Sequence, residues 1–312
     1  MIEKDIIERF FQRASTDQSI IKSIGDDAAI LRATPDTELV VTTDSMVEGR
    51  HFILNSPAHA VAYKLMAVNV SDLAAMGATP RWATLNLTLP SIDEDWLNDF
   101  SCGLFACARR YSIALVGGDL TSGEQLNMSI QAIGERSLGT ACLRSSAQLH
   151  DAIYISGEIG HAAAALTKLS QAEFDHAVLS DSEMCALYYP VAQVELGESL
   201  SQLAHACIDI SDGLLSELEI ICAQSQLGAE INLDQIKHHP DLDILDAIVK
   251  GDDYQLLFTA DLENHGQIMQ LAEQYHLPIR RIGHMSHAGK LQLKLNGIDV
   301  ALPSTHGYQH FI

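Results

Sequence analysis

Basic residues are scarce in this 312-residue chain: 19 Lys and Arg stand against 41 Asp and Glu, a formal charge of −22. There is no basic block and no interleaving of aromatic with basic residues, which argues against a nucleic-acid partner. No run approaches the roughly 18 consecutive apolar residues that a membrane-spanning helix needs, so no membrane partner is expected. The opening MIEKDIIERFF is acidic and amphipathic rather than basic and then apolar, which argues against a secretory signal. The six cysteines show no C-x-x-C pair and no zinc-like spacing. They read as reduced thiols of a cytoplasmic protein. Also missing are G-x-x-x-x-G-K-[ST], H-E-x-x-H, G-x-S-x-G and the protein-kinase signature, which excludes those chemistries in their usual form. His284/His287 and His306/His310 have spacings that serve metals elsewhere, but their polar neighbours favour solvated side chains. His238-His239 precedes Pro240 and reads as loop.

What is present is ample apolar material, 47% of residues, in a chain long enough for two domains. An amphipathic helix is expected over 3–14, then short strands over 28–31 and 39–43. Ser56-Pro57 reads as the cap and first residue of a helix that ends near Gly77. A strand over 83–89, a helix from about 93 to 111, a strand over 113–116 ending in Gly117-Gly118-Asp119 and a strand over 128–134 follow. The pattern lapses around 137–150, which sets the expected domains at 1–137 and 138–312. Beyond it come a strand over 152–155, Gly157-x-x-Gly160 before an alanine-rich helix, a strand over 207–210, a turn, and a helix over 214–224. Later strands are expected over 254–259 and 279–282. Alternating strands and helices imply an α/β or α+β fold in two layered domains.

Aspartates gather where strands are expected to begin or end: Asp26 and Asp27, Asp44, Asp119, Asp209 and Asp212, Asp252 and Asp253. Ordinary turn and capping chemistry accounts for any one of them. Together they point into the crevice where α/β proteins bind ligands. Asp72 is stranger, because its helix is apolar on most of its surface and Asn69 shares its face three residues earlier. A buried carboxylate needs a partner, and hard oxygen ligands select Mg²⁺, Mn²⁺ or Ca²⁺. Metal-bridged phosphates are the expected cargo. Gly117-Gly118 and Gly157-x-x-Gly160 read equally as phosphate cradles or as tight turns. In the strand after Gly25, alternation puts Asp26 and Asp27 on different faces, and Asp27 is taken for the metal.

Several of these stretches occur in one order: Gly25-Asp26-Asp27-Ala28-Ala29, Thr42-Thr43-Asp44, His51-Phe52, Asn69-Val70-Ser71-Asp72-Leu73-Ala74-Ala75-Met76-Gly77-Ala78, Val116-Gly117-Gly118-Asp119, Asp209-Ile210-Ser211-Asp212-Gly213, Gly251-Asp252-Asp253-Tyr254 and the terminal Gly307-Tyr308-x-His310-Phe311. Over nearly the whole chain they resemble the thiamine-monophosphate kinases. These belong to the aminoimidazole-ribonucleotide synthetase-like superfamily, with which the Asp72 helix is shared more widely. The resemblance implies ATP-dependent phosphorylation of thiamine monophosphate to thiamine diphosphate with several Mg²⁺ ions. It also implies an N-terminal ATP- and Mg²⁺-binding sheet domain that dimerises, giving a homodimer, and a C-terminal α/β domain.

By that resemblance the metal ligands are Asp27, Thr42, Thr43, Asp44, Asp72, Asp119, Asp209 and Asp212. The nucleotide contacts are Gly118, Asp119, Arg144 and Ser211, and the substrate contacts are His51, Asp252 and Tyr308. Arg144, in the otherwise uncharged Ala-Cys-Leu-Arg-Ser-Ser, reads either as a cation on the polyphosphate or as an ordinary linker residue. Two positions depart from the family's usual Gly-Glu-Asp-Tyr-Glu-Leu: Asp252 is one methylene shorter, and Gln255 removes a charge. Two relatives in the superfamily fit less well. A selenophosphate-synthesising enzyme needs a reactive Cys near the N-terminus, where the first here is Cys102. A hydrogenase-maturation relative ends in cysteine, whereas this chain ends in Gln-His-Phe-Ile. A non-catalytic, metal-dependent binder of the same ligands would keep the same carboxylates.

Overall fold

The structure, a computed structural model, describes residues 1–287, 289 and 291–308. His310 and Phe311 of the terminal motif lie outside the described residues. The chain divides into one unit of residues 1–73 and 78–139 and a second of 74–77 and 140–312.

The first unit runs α1 (Glu3–Ile6, continued by a π turn, Ile7–Phe11), β1 (Ile20–Lys22), β2 (Ile30–Leu31), β3 (Thr37–Val47), α2 (Ala58–Ala75), β4 (Thr79–Leu89), α3 (Glu94–Arg110), β5 (Ala114–Ser122) and β6 (Asn127–Ser137). Its main sheet has the order β3-β6-β4-β5, with only β4 and β5 parallel. On one face Ala83, Leu85, Leu87, Met128, Ile130 and Ala132 are buried. Helix α2 covers that face; it is apolar nearly all round, the mark of a helix enclosed on every side. Residue 103 must be glycine, because a Cβ there would stand 2.0 Å from the His59 carbonyl oxygen where α3 crosses α2. Gly77 takes φ +67°, and the Ala78 N–H reaches back to the Leu73 carbonyl, closing α2 as the sequence implied. Its start is different. The Ser56 hydroxyl donates to the Ile53 carbonyl at 2.9 Å, and the helix begins at Ala58, one residue after Pro57. Asp93 does cap α3, accepting the Asp95 and Trp96 amides.

The second unit runs β7 (Ala152–Ser156), α4 (His161–Gln171), α5 (Asp181–Tyr188), α6 (Val194–Leu200), β8 (Ala204–Asp209), α7 (Leu214–Ser225), β9 (Gly228–Asn232), α8 (Ile244–Ala247), β10 (Leu256–Ala260), α9 (His265–Gln274), β11 (Ile279–Ser286), β12 (Leu291–Leu295) and β13 (Ile298–Val300). They form a seven-stranded mixed sheet of order β13-β12-β9-β11-β7-β10-β8. Residues of β7 alternate between two cores. Ile153 and Ile155 join Leu215, Leu218 and Ile221 of α7, while Ala152 and Tyr154 join Leu196, Leu200 and Ile268 of α6 and α9. A sheet covered on both faces explains the unbroken apolar runs of β7 and β10. Among the described residues no helix is long and apolar enough to cross a membrane.

Candidate functional site

The first group of predicted residues meets on the covered face of the first unit's sheet. Strand β3 is an edge strand, and its alternate residues Thr42 and Asp44 face α2. The Thr42 hydroxyl donates to Asp72 Oδ2 at 2.5 Å. The Asp44 amide, on the open edge, donates to Asn69 Oδ1 at 2.9 Å, and the Asn69 side-chain amide donates to the Leu65 carbonyl. Asn69 and Asp72 thus share a face of α2, as their three-residue spacing implied, and together they fasten β3. Asp44 does not end this strand, which continues to Val47. Thr43 points to the opposite, exposed face. Just past the strand, His51 Nδ1 accepts the Val47 amide at 3.0 Å, so a neutral ring carries its proton on Nε2.

The second group surrounds a cavity of about 1040 Å³, in which the 23–29 loop and α1 stand opposite Gly117, Gly118 and Asp119. Residues 28–31 yield only a two-residue strand, and Asp26 and Asp27 sit in the loop before it. Asp26 is already engaged. Its carboxylate accepts the Asp27 amide at 3.0 Å and pairs with Lys22 at 3.3 Å, and these contacts, the amide first, hold its pKa below the usual range. Asp27 stays exposed beside it. Gly117-Gly118-Asp119 is no terminal turn but the middle of β5, entered through a bulge at Val116. Gly118 has φ +142°, and a Cβ there would lie 1.8 Å from the Leu85 carbonyl oxygen. Only glycine lets β5 close on β4.

Sheet register relates the two groups. Asp44, Ile130, Leu85 and Gly118 lie in one row across the four strands, and Asp119 lies in the next with Asn86, Ser129 and Ser45. Three interstrand steps separate Asp44 from Asp119, about 14 Å, and their side chains leave opposite faces. Within one sheet the two carboxylates do not meet.

The third group lies in the second unit, where β8 ends at the buried Asp209. Residues 210–213 are pressed against residues 249–254. The Asp252 amide donates to the Ser211 carbonyl at 2.7 Å and the Tyr254 amide to the Ile210 carbonyl at 2.8 Å. The Tyr308 amide donates to the Asp212 carbonyl at 3.0 Å. Three separate stretches of sequence therefore bring Ser211, Asp212, Asp252 and Tyr308 together. Asp252 and Tyr254 have φ of +75° and +51°. Each such non-glycine residue costs about 1 kcal/mol or more, and strain of this kind persists only where surrounding contacts dictate it, commonly at ligand sites. The expected strand over 254–259 accordingly starts at Leu256.

Sequence reasoning missed Glu217, in the first turn of α7. Its Oε1 accepts the Asp212 amide at 3.1 Å and the Ser211 hydroxyl at 3.3 Å. Burial pushes its pKa up, partly offset by the Asp212 amide and the nearby Arg144. An acid in a first helical turn just after Ser-Asp-Gly is a capping signal and could have been read as one. The Arg144 carbonyl accepts the Ser225 hydroxyl at 3.1 Å. Gly157-x-x-Gly160 proves to be a turn. The Gly160 amide donates to Asp253 Oδ1 at 2.7 Å and is not open to a phosphate. Among the described residues no three His, Cys, Asp or Glu side chains converge as a ready metal cluster. The donors that do meet at Thr42 and Asp72 are all oxygen, which suits a hard cation.

A two-unit fold carrying oxygen donors and a Gly-Gly-Asp strand defines a class that the comparisons make explicit. Residues 25–135 match the family model for the AIR synthase related protein, N-terminal domain, and residues 149–296 that for its C-terminal domain. Within that class, the thiamine-monophosphate kinase of Haemophilus influenzae is 35% identical over 327 residues, covering 100% of this chain and 98% of that one. The crystal structure of thiamine-monophosphate kinase from Stenotrophomonas maltophilia is 38% identical, with a TM-score of 0.83 over 95% of this chain and 96% of that one. A structure of AaThiL complexed with AMPPCP and TMP is 27% identical, with a TM-score of 0.76 over 93% and 92% of the two chains. The chain belongs to the thiamine-monophosphate kinase family.

Proposed function

We propose that this chain transfers the γ-phosphoryl group of ATP to the phosphate of thiamine monophosphate, giving thiamine diphosphate. The observation that carries the reading is the meeting of Ser211 and Asp212 with Asp252 and Tyr308, held by a strained segment, in a chain whose relatives are named for this reaction. AaThiL binds AMPPCP and TMP together, an ATP analogue beside the phosphate acceptor.

In this reading Gly118, Asp119, Arg144 and Ser211 contact the nucleotide, and His51, Asp252 and Tyr308 contact the substrate. Asp27, Thr42, Thr43, Asp44, Asp72, Asp119, Asp209 and Asp212 hold Mg²⁺. The wide separation of Asp44 from Asp119 supports more than one ion. Bound Mg²⁺ neutralises charge on the transferring group. The chain's own task is alignment. Arg144 supplies a guanidinium to polyphosphate oxygens. His51, fixed through Nδ1, offers its Nε2 proton as a donor. The acceptor phosphate is largely ionised at neutral pH, so no strong general base is required, and attack runs in line on the γ-phosphorus without a phosphoenzyme.

Residues 1–137 take the role of the ATP- and Mg²⁺-binding, dimerising domain and 138–312 that of the C-terminal domain, in a cytoplasmic homodimer. Support for the dimer comes from Leu39 and Val41, apolar residues of β3 that are more than half exposed on the uncovered face of the sheet. Incubation with ATP, Mg²⁺ and thiamine monophosphate tests the reading. Thiamine diphosphate is expected, and a phosphorylated protein isolated after ATP alone would refute direct transfer.

A further inference from the structure

Residues 252–255 are held from two sides in strict alternation. Asp252 and Tyr254 give their amides to the carbonyls of Ser211 and Ile210. Asp253 and Gln255 send their side chains the other way. Asp253 Oδ1 accepts the Gly160 amide at 2.7 Å, and Gln255 Oε1 accepts the Ser156 hydroxyl at 2.9 Å. The Gln255 amide packs over Gly157, where a Cβ would stand 2.3 Å from Gln255 Oε1. The other oxygen of Asp253 is buried and has no hydrogen-bond partner. A carboxyl that gives up one oxygen's hydrogen bonding to keep a single contact needs a reason for being there.

We propose that Asp253 is a positioning residue for the phosphate acceptor: through the Gly160 amide it clamps residues 252–254 in their left-handed conformation and so sets where Asp252 stands. The inference rests on the proposed kinase reading and adds to it a residue that touches neither substrate nor metal. Without the Asp253 contact, Gln255 alone holds the segment on the Gly160 side, and Asp252 and Tyr254 relax toward φ below zero. Burial raises the pKa of Asp253 and so favours its neutral form, and the contact needs only an acceptor oxygen, which a neutral isostere also supplies. The shortened Asp252 makes the requirement stricter, since it has less reach with which to absorb an error in backbone position.

Steady-state kinetics of the full-length protein test this through Asp253→Ala and Asp253→Asn. The alanine variant should raise KM for thiamine monophosphate by about tenfold, the equivalent of one lost hydrogen bond to a buried group, with KM for ATP unchanged. The asparagine variant keeps the acceptor oxygen and should recover most of that loss. If Asp253→Ala does not fold, Gln255→Ala loosens the same clamp and should show the same selective rise. Equal rises in both KM values, or no recovery with asparagine, would overturn the assignment. A wild-type protein without kinase activity defeats the functional reading instead. The clamp would then be judged by proteolysis, where the alanine variant is expected to be cut within 252–254 faster than wild type, and equal rates would refute it.

Discussion

Replacing Gly251 by alanine should wedge apart the two segments that build the second unit's site. A Cβ at this position would lie 1.9 Å from the Ser211 carbonyl oxygen and 2.7 Å from both the Ser211 and Asp212 carbonyl carbons. Ordinary contact begins near 3.4 Å, so the backbones must part by 3.4 − 1.9 = 1.5 Å. All three neighbours are main-chain atoms, and no flexible side chain can swing away. The Asp252-to-Ser211 hydrogen bond, now 2.7 Å, would stretch to 2.7 + 1.5 = 4.2 Å and be lost. Overpacking of this kind costs about 1–3 kcal/mol, which lowers Tm by about 2–4 °C per kcal/mol in a domain of this size. Displacing Ser211 and Asp252 by more than an ångström should cost about a hundredfold in kcat/KM. Thermal melting and steady-state kinetics read the two effects separately. Gly266→Ala is the contrast: that residue lies in α9 with nothing within 4 Å of its would-be Cβ. Alanine there should stabilise by about 0.5–1 kcal/mol without touching kinetics. A Gly251→Ala enzyme with wild-type kcat/KM would refute the claim that residues 210–212 and 251–254 form one site.

Three further outcomes are expected. Burial favours the neutral form of Asp253, so its ionisation costs folding stability as pH rises above the unfolded value of about 3.9, until its folded pKa is passed. Asp253→Asn should therefore gain Tm over wild type at about pH 8 relative to about pH 4.5, and a pH-independent difference would contradict this. Thr42→Val keeps the shape of the side chain but removes the donor to Asp72, and should cost about 1 kcal/mol in denaturant unfolding, with Thr42→Ser recovering it. None of the six cysteines is in a disulfide, and of the six Cys102 and Cys185 are exposed, so a thiol reagent should titrate two in the native state and six in denaturant. Burial holds the Cys107 and Cys207 thiols far above the ordinary range and the Cys222 thiol at about 11, and rapid native titration of all six would contradict the buried placement.

Local chemistry was legible in the sequence where one short stretch decides the outcome. The three-residue spacing of Asn69 and Asp72, the stop at Gly77 and the start of α3 near residue 93 all belong to this kind. Two glycines misled the reading at Asp119. Gly117-Gly118 looks like a turn, yet φ +142° at Gly118 is extended enough to stay in the β5 ladder, and what demands glycine is the Leu85 carbonyl of the neighbouring strand. The strand-end rule that singled out the aspartates failed at two of them, since neither Asp44 nor Asp119 ends its strand. Strand β12, Leu-Gln-Leu-Lys-Leu, carries a two-residue alternation that could have been read, whereas β13 has only three residues. Asp253 was hidden by its neighbour, since its partner is 93 residues away and only the fold brings Gly160 to it.

The most direct test of the central claim is thiamine diphosphate formation by the wild-type chain and by Asp72→Asn, measured side by side with ATP, Mg²⁺ and thiamine monophosphate. Asp72 touches Thr42 on the face where oxygen donors gather, and the amide keeps its size while removing its charge. The account predicts product from the wild type and its near-complete loss in a variant that still folds. No product from the wild type, or undiminished product from Asp72→Asn, would contradict it.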